Sequence, residues 1–130
     1  MKRKGKIIIP SDRAPWPHEL RVAEILAQAN HVVEFLPEAP IKTADILLND
    51  TKFEIKSPKT GKINTFEHNI KRALKQSKNI IIDLSRMDGR KIPEHRAIAF
   101  LAAKCQKHPQ IKQLLVVTKQ RRIIDIKTML

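Results

Sequence analysis

Two acidic residues and a lysine, Asp45, Glu54 and Lys56, have the side chains and spacing needed to hydrolyse a phosphodiester bond. A pair of carboxylates can hold a divalent ion that activates water and stabilises the charge developing on the phosphate. Hard oxygen ligands select magnesium or manganese over zinc. The lysine can orient or deprotonate the attacking water, or neutralise the pentacovalent phosphorus. These residues therefore predict a Mg or Mn site.

A predicted hairpin brings the three side chains together. Asn49-Asp50 suits a two-residue turn, and such a turn pairs Leu48 with Thr51, Leu47 with Lys52 and Ile46 with Phe53. Continued by one residue, this register sets Asp45 opposite Glu54. Side chains alternate along a strand, so Lys56 shares the face of Glu54 while Phe53 and Ile55 point into a core. Like charges facing each other across a ladder are destabilising, which predicts a cation between the two acids.

An ordinary exposed hairpin is the alternative interpretation of the same residues. Acid-x-lysine triplets such as Glu54 to Lys56 are common in soluble proteins, where both charges are simply solvated. The metal-site hypothesis depends on a conjunction of features: the facing Asp45, an acid on the first helix, the order of the elements and the excess positive charge.

Composition favours a nucleic acid as the partner. The chain has 130 residues and is predicted to form one domain, residues 1–130, with 26 Lys plus Arg against 13 Asp plus Glu and a formal charge of +13. Such a charge favours polyanions through counterion release. The chain has no run of 18 apolar residues, and the basic residues do not sit on one amphipathic helix, which disfavours a membrane. A basic surface without a polyanion partner is the alternative.

Apolar periodicity predicts an α/β domain with a mixed central sheet. Helices are predicted over 18–29, from 64 onward and over 93–107, and strands over 31–36, 45–48, 51–56, 79–84, 111–117 and 122–126. The order is helix, three strands, helix, strand (αβββαβ), followed by a helix and two strands (αββ). The helix between the hairpin and the strand at 79–84 implies a right-handed crossover.

Glu24 is the acid of the first predicted helix. Its neighbours one turn away, Leu20 and Ala27, are apolar, which predicts that the Glu24 carboxylate starts from an inward-facing part of the helix. A carboxylate in that position needs a partner.

In this element order, Asp45 and the run Glu54-Ile55-Lys56 resemble the PD-(D/E)xK nuclease superfamily, which includes type II restriction enzymes and many repair and tRNA nucleases. More narrowly, Phe53–Pro58, Ala73–Leu84 and Trp16–Glu19 resemble the C-terminal toxin domains of CdiA-type contact-dependent growth inhibition proteins, known as tRNA nucleases. The residue before Asp45 is Ala44, where the superfamily name has proline.

The resemblance implies a restriction-endonuclease-like core and a role for each residue of the site. Asp45 and Glu54 become metal ligands, Lys56 the catalytic lysine, Glu24 the first-helix acid that assists, and Gln76 the polar residue of the second core helix. It also implies a toxin that cleaves tRNA in the cytoplasm of a target cell, delivered as part of a larger secreted protein and accompanied by an immunity protein. Charge complementarity predicts that this immunity protein is acidic. The chain begins at Met1 with no delivery apparatus, so a free-standing relative is the alternative to an excised domain.

Several basic side chains after the hairpin are candidates for binding phosphates. They are Lys59, Lys62, His68, Lys71, Arg72 and Lys75. A solvated helix face explains Lys71 and Lys75 equally well, and a surface histidine is the simpler interpretation of His68. Aromatic residues are few, so recognition is expected to depend on shape and phosphate. Trp16 could stack a base or anchor its loop to the core.

Three hypotheses follow from these patterns. The first is an Mg-dependent endonuclease of PD-(D/E)xK type that acts on tRNA. The second is a non-catalytic, basic nucleic-acid-binding module, and the third is a DNA endonuclease of a mobile element.

Overall fold

A single seven-stranded sheet, with helices on both faces, organises the chain. The computed structural model describes residues 4–37, 44–59, 62–87 and 92–129. The strands are β1 (Lys6–Ile8), β2 (Val32–Phe35), β3 (Ile46–Leu48), β4 (Thr51–Lys56), β5 (Asn79–Asp83), β6 (Gln113–Val117) and β7 (Ile123–Asp125). The helices are α1 (Pro17–Gln28), α2 (Ile63–Leu74) and α3 (Glu94–Lys107), followed by a short 3₁₀ helix (Lys127–Met129).

The strands lie side by side in chain order, β1 to β7. Strands β2, β3 and β4 form an antiparallel meander, whereas β4, β5 and β6 are parallel to one another. The outer strands differ, since β1 is parallel to β2 and β7 is antiparallel to β6. Parallel neighbours need a crossover connection, and α2 supplies the one between β4 and β5. The predicted mixed sheet and the order α1, β2, β3, β4, α2, β5 are confirmed.

Strand β1 was not predicted from the sequence. It has three residues, and its backbone is held by parallel pairing with β2 and by a hydrogen bond from Lys6 N to His31 O. These partners are about 25 residues away, beyond the reach of a local pattern. The 3₁₀ helix at Lys127–Met129 was also missed, because a single turn has no periodicity to detect.

Alternate residues of the central strands enter two separate cores, one on each face of the sheet. Ile80 and Ile82 pack with α2 and α3, whereas Ile81 packs with α1. This is why β5 has three successive isoleucines, Ile80 to Ile82: a strand covered on both faces buries successive side chains. The sheet thus presents one face to α1 and the other to α2 and α3.

The turn that fixes the hairpin register has the predicted form. Asn49 and Asp50 have φ angles of 48° and 70°, and positive φ at both central residues is the requirement of a type I′ turn. The observed pairs are Leu48 with Thr51, Leu47 with Lys52 and Ile46 with Phe53. The register predicted for these three pairs is confirmed.

Gly5 is required by the close approach of β1 to α1. A Cβ at Gly5 would lie 1.8 Å from Ala27 O, a backbone atom that cannot move aside. Gly5→Ala should therefore lower the free energy of unfolding by about 1–3 kcal/mol, as overpacking does, measured by urea denaturation. Lys4→Ala, a change at the exposed neighbouring residue, is the control, and equal stability of the two variants would contradict this contact.

The helices in the described part of the chain are all too short or too polar to cross a membrane.

Candidate active site

The carboxylate of Asp45 is fixed against strand β4. Asp45 lies one residue before β3, and its Oδ2 accepts a hydrogen bond of 2.9 Å from the backbone N–H of Ile55. Its own N–H donates to Phe53 O, so the regular ladder ends at Ile46, and the prediction that Asp45 lies directly opposite Glu54 in the ladder is wrong. The side chain instead replaces a backbone acceptor for Ile55, the residue that follows Glu54. Asp45 is 8% exposed.

Glu54 and Lys56 form an ion pair within strand β4. The Lys56 Nζ lies 3.4 Å from Glu54 Oε2, and the side chain of Glu54 is fully buried while that of Lys56 is 21% exposed. Residues two apart share one face of a strand, and their neighbours Phe53 and Ile55 belong to the core on the α1 side, as predicted. A buried carboxylate is costly, so this placement is unusual for a residue that serves only to stabilise the fold.

An arginine connects Asp45 to an acid of the first helix. The Arg13 Nη2 lies 3.0 Å from Glu19 Oε2 and 4.0 Å from Asp45 Oδ1. The guanidinium also lies over the ring of Phe35, 5.8 Å from its centroid. Glu19 is 7% exposed, and its Oε1 accepts a hydrogen bond of 2.8 Å from the backbone N–H of Trp16. The first-helix acid that faces the site is therefore Glu19.

The prediction that Glu24 faces inward is wrong. Its side chain is exposed, and the stripe that α1 buries consists of Glu19, Val22, Ala23, Ile25 and Leu26. Leu20 and Ala27, from which an inward Glu24 was inferred, are only half-buried. The spacing i, i+3, i+4, i+7 from residue 19 would have identified Glu19, because it fits the buried stripe better than Glu24 does.

Asp83 is a buried acid that sequence reasoning did not single out. It ends β5 and is fully buried. Its carboxylate accepts hydrogen bonds of 3.0 Å from the hydroxyls of Ser57 and Ser85 and from the backbone N–H of Ser85. The Arg21 Nη1 lies 3.5 Å from Asp83 Oδ1. Asp83 thus holds Ser57, the residue after Lys56, and the available signal was an acid at the carboxyl end of a parallel strand.

The predicted phosphate-binding residues extend along α2 and do not converge on Lys56. The side chain of Gln76 is half-buried. Those of the other six are exposed: Lys59, Lys62, His68, Lys71, Arg72 and Lys75. Lys59 and Lys62 follow the carboxyl end of β4. The helix α2 has twelve residues and is about 18 Å long. Its carboxyl end lies near the start of β4, since Ser77 Oγ and Asn79 Nδ2 donate to Lys52 O. Gln76 is therefore at the end of β4 remote from Lys56.

Metal binding would involve few protein ligands. Across residues 4–37, 44–59, 62–87 and 92–129, no group of three or more His, Cys, Asp or Glu side chains is arranged to hold an ion. Of the predicted ligands, Asp45 accepts a hydrogen bond from the backbone of Ile55, the residue after Glu54, whereas Glu24 is exposed.

The single cysteine has no part in this site. Cys105 is 2% exposed in the core between α2 and α3. Burial raises the pKa of its thiol, which suppresses the thiolate that a nucleophile would need.

Comparison with known proteins gave a family and a structural neighbour. A search of curated proteins found no significant match. Among solved structures, the chain is similar to a CdiA-CT/CdiI toxin and immunity complex from Burkholderia pseudomallei, with 20% identity, a TM-score of 0.65, and coverage of 92% of this chain and 98% of that one. This likeness shows a shared fold. The model of the contact-dependent growth inhibition CdiA C-terminal domain matches residues 42–123. Because the match spans more than half of the sequence, the chain belongs to the CdiA C-terminal domain family of contact-dependent growth inhibition.

Proposed function

We propose that this toxin domain is a metal-dependent nuclease of PD-(D/E)xK type that cleaves tRNA in the cytoplasm of a target cell. The observation that carries the proposal is the fully buried Glu54 with the Lys56 ammonium 3.4 Å away. The order α1, β2, β3, β4, α2, β5 supports it, with Asp45 before β3 and Glu54-Ile55-Lys56 on β4. A buried charge with a specific charged partner is a mark of functional sites.

The donor chemistry fits magnesium or manganese. Asp45 and Glu54 offer hard carboxylate oxygens, and Mg²⁺ is often held by one or two carboxylates together with water and substrate phosphates. Asp45 Oδ2 accepts a hydrogen bond from Ile55 N–H, whereas Oδ1 lies 4.0 Å from Arg13 Nη2. When bound, the ion would acidify a water molecule and stabilise charge on the phosphate. Arg13 and Lys56 balance the negative charges of the two acids in this structure.

Lys56 is assigned to the reacting water or to the phosphate. Its side chain is 21% exposed, so its Nζ lies between the buried Glu54 and solvent, where a substrate phosphate can approach. From there it can orient or deprotonate the water, or neutralise the pentacovalent phosphorus. Asp83 acts on Lys56 only indirectly, because it fixes Ser57 at the end of β4.

The net positive charge of the chain supports two partners, a nucleic acid and an acidic immunity protein. The formal charge of +13 favours a polyanionic substrate, and the structural neighbour is described as a toxin and immunity complex. We assign this chain an immunity protein of acidic surface, since complementary charge speeds and orients association.

A cleavage assay on total tRNA and on plasmid DNA, with and without Mg²⁺, tests the proposal. Loss of tRNA at Mg²⁺ concentrations that leave plasmid intact is the expected result. Cleavage of plasmid alone would favour the DNA endonuclease, and salt-dependent binding without any cleavage would favour the non-catalytic module.

Asp45→Asn separates the ligand role of this residue from its structural role. The amide oxygen can still accept the hydrogen bond of Ile55 N–H, while the negative charge is lost. We expect cleavage to fall at least about 10²-fold with little change in melting temperature. Asp45→Ala should lose the same activity and also about 1–3 kcal/mol of stability, because the Ile55 N–H loses its acceptor. Full activity of Asp45→Asn would show that Asp45 is not a metal ligand of the nuclease.

A further inference from the structure

An open cleft lies beside the candidate active site, between the start of α1 and the segment after β5. Its volume is about 570 Å³. The residues that line it are Trp16, Pro17, His18, Arg21, Ser85 and Arg86. They include two arginines, a histidine and an aromatic ring, and they include no carboxylate. The lining is therefore suited to an anion with an attached planar group.

Trp16 is presented to solvent on a fixed backbone. Its side chain is 68% exposed, so its ring does not anchor the loop to the core. The backbone N–H of Trp16 donates to Glu19 Oε1 at 2.8 Å, and its backbone carbonyl accepts from Leu20 N at 3.0 Å. Proline residues 15 and 17 flank it and restrict the backbone further. A large exposed ring held in this way is a platform on which a nucleic-acid base can stack.

The two arginines of the cleft differ in how they are held. The Arg21 guanidinium is fixed by Asp83 Oδ1 at 3.5 Å and Lys119 O at 3.2 Å. Arg86 is exposed, and its Nη1 lies 3.4 Å from His18 Nδ1, which can accept from the guanidinium when that nitrogen carries no proton. Asp83 lies fully buried beneath them and is already bonded to both serine hydroxyls. The exposed guanidinium of Arg86 is thus available for a phosphate, and bidentate contact with phosphate oxygens is a strength of arginine.

Hydrogen bonds and ion pairs connect the cleft to Asp45 and to Ser57, at the two ends of the hairpin. Glu19 accepts from Trp16 N and pairs with Arg13, which lies 4.0 Å from Asp45. Asp83, which holds Arg21, also accepts from the hydroxyl of Ser57 next to Lys56. The cleft and the end of β4 that carries Lys56 are therefore joined through Asp83, which contacts both Arg21 and Ser57.

We propose that the cleft binds one unpaired nucleotide of a nucleic-acid strand, with its base stacked on Trp16 and its phosphate bound by Arg86. This inference rests on the proposed nuclease function, because the strand is taken to be the substrate. RNA and DNA share the required base and phosphate, and the experiment compares them.

Binding is measured without cleavage, in EDTA, with single-stranded RNA and DNA oligonucleotides of one sequence. Trp16 is the only tryptophan of the chain, so quenching of intrinsic fluorescence reports stacking at this position. We expect quenching by RNA. Anisotropy with labelled RNA should show binding about tenfold weaker for Trp16→Ala and near wild type for Trp16→Phe, which keeps a ring. Arg86→Ala should reduce the slope of log Kd against log salt by about one.

Lys112→Ala is the matched control, because it removes one exposed positive charge at the opposite end of the sheet. The proposal is overturned if Trp16→Ala and Arg86→Ala bind as Lys112→Ala does, or if the oligonucleotide binds without quenching Trp16. Quenching by RNA alone, or by RNA and DNA equally, supports it and identifies the strand. Quenching without any Mg²⁺-dependent cleavage would support nucleotide binding in the cleft and refute the nuclease. If Trp16→Ala cleaves and binds as the wild type does, the nuclease is supported and nucleotide binding in the cleft is refuted.

Discussion

Glu54→Gln should reduce phosphodiester cleavage by about 10³-fold or more, the loss expected when a charged group that stabilises the transition state is removed. The change is isosteric and takes away only the negative charge of a fully buried side chain. The protein should remain folded with a melting temperature equal to or above that of the wild type, because a buried carboxylate costs free energy that a neutral amide does not. Lys56 would lose its ion-pair partner but is 21% exposed and can be hydrated. Cleavage assays and thermal denaturation measure the two effects.

Metal binding gives an independent readout of the same variant. A ligand that binds the folded state raises the melting temperature by mass action, so Mg²⁺ should stabilise the wild type and have little effect on Glu54→Gln. The control is Glu24→Gln, an equivalent change at an exposed acid of α1, which should keep both the Mg²⁺ response and the activity. If Glu54→Gln cleaves like the wild type, or if it unfolds while Glu24→Gln does not, Glu54 is a structural residue and the metal site is wrong.

Local sequence signals were sufficient for most of the fold. The two-residue turn Asn49-Asp50 fixed the hairpin register, because positive φ at both positions and alternating apolar residues allow one alignment. The three successive isoleucines, Ile80 to Ile82, identified a strand covered on both faces. Strand β1 could not be predicted in this way. Its three residues carry no pattern of their own, and they become a strand only because α1 returns the chain beside them.

The candidate site was harder to predict from the sequence, because which residues belong to it depends on the rotation of α1 and on contacts between distant parts of the chain. Glu24 and Glu19 both lie among apolar residues, and a rotation of α1 decides which one is buried. The N–H of Trp16, bonded to Glu19, and the guanidinium of Arg13 select Glu19. Asp83 was missed because two of its partners, Ser57 and Arg21, lie 26 and 62 positions away in the chain. The backbone pairing of one hairpin was predictable, whereas the position of Asp45 relative to Glu54 and the contacts that join three elements were not.

Ion pairs join α1 and the loop before it to the sheet. Arg13 pairs with Glu19 of α1 and lies 4.0 Å from Asp45, just before β3, and Arg21 of α1 pairs with Asp83 at the carboxyl end of β5. In open α/β sheets, ligands bind outside the carboxyl ends of parallel strands, and β4 and β5 are parallel neighbours here. The helix α1 is therefore held against the sheet by an ion pair as well as by apolar packing.

Lys56→Met should impair stability as well as activity, in contrast to Glu54→Gln. Removal of the ammonium 3.4 Å from the buried Glu54 carboxylate leaves that charge less compensated. Breaking a buried pair from one side costs about 3–5 kcal/mol, and the partial exposure of Lys56 puts the expected loss near the lower end. Cleavage should fall by about 10³-fold, because no amine remains to act on the water or the phosphorus. Urea denaturation and the tRNA cleavage assay measure the two losses.

The double variant Glu54→Gln with Lys56→Met tests whether the two effects share one cause. If the loss of stability comes from removing the Lys56 charge beside the Glu54 carboxylate, neutralising Glu54 should restore most of it, giving a favourable coupling energy of about 2 kcal/mol or more between the two sites. Activity should remain lost, since both groups are needed for the reaction. Lys112→Met, a change at an exposed lysine away from the hairpin, controls for the loss of one positive charge. Additive effects on stability in the double variant would show that the two side chains do not act as a pair, and the catalytic assignment of Lys56 would then lose its structural basis.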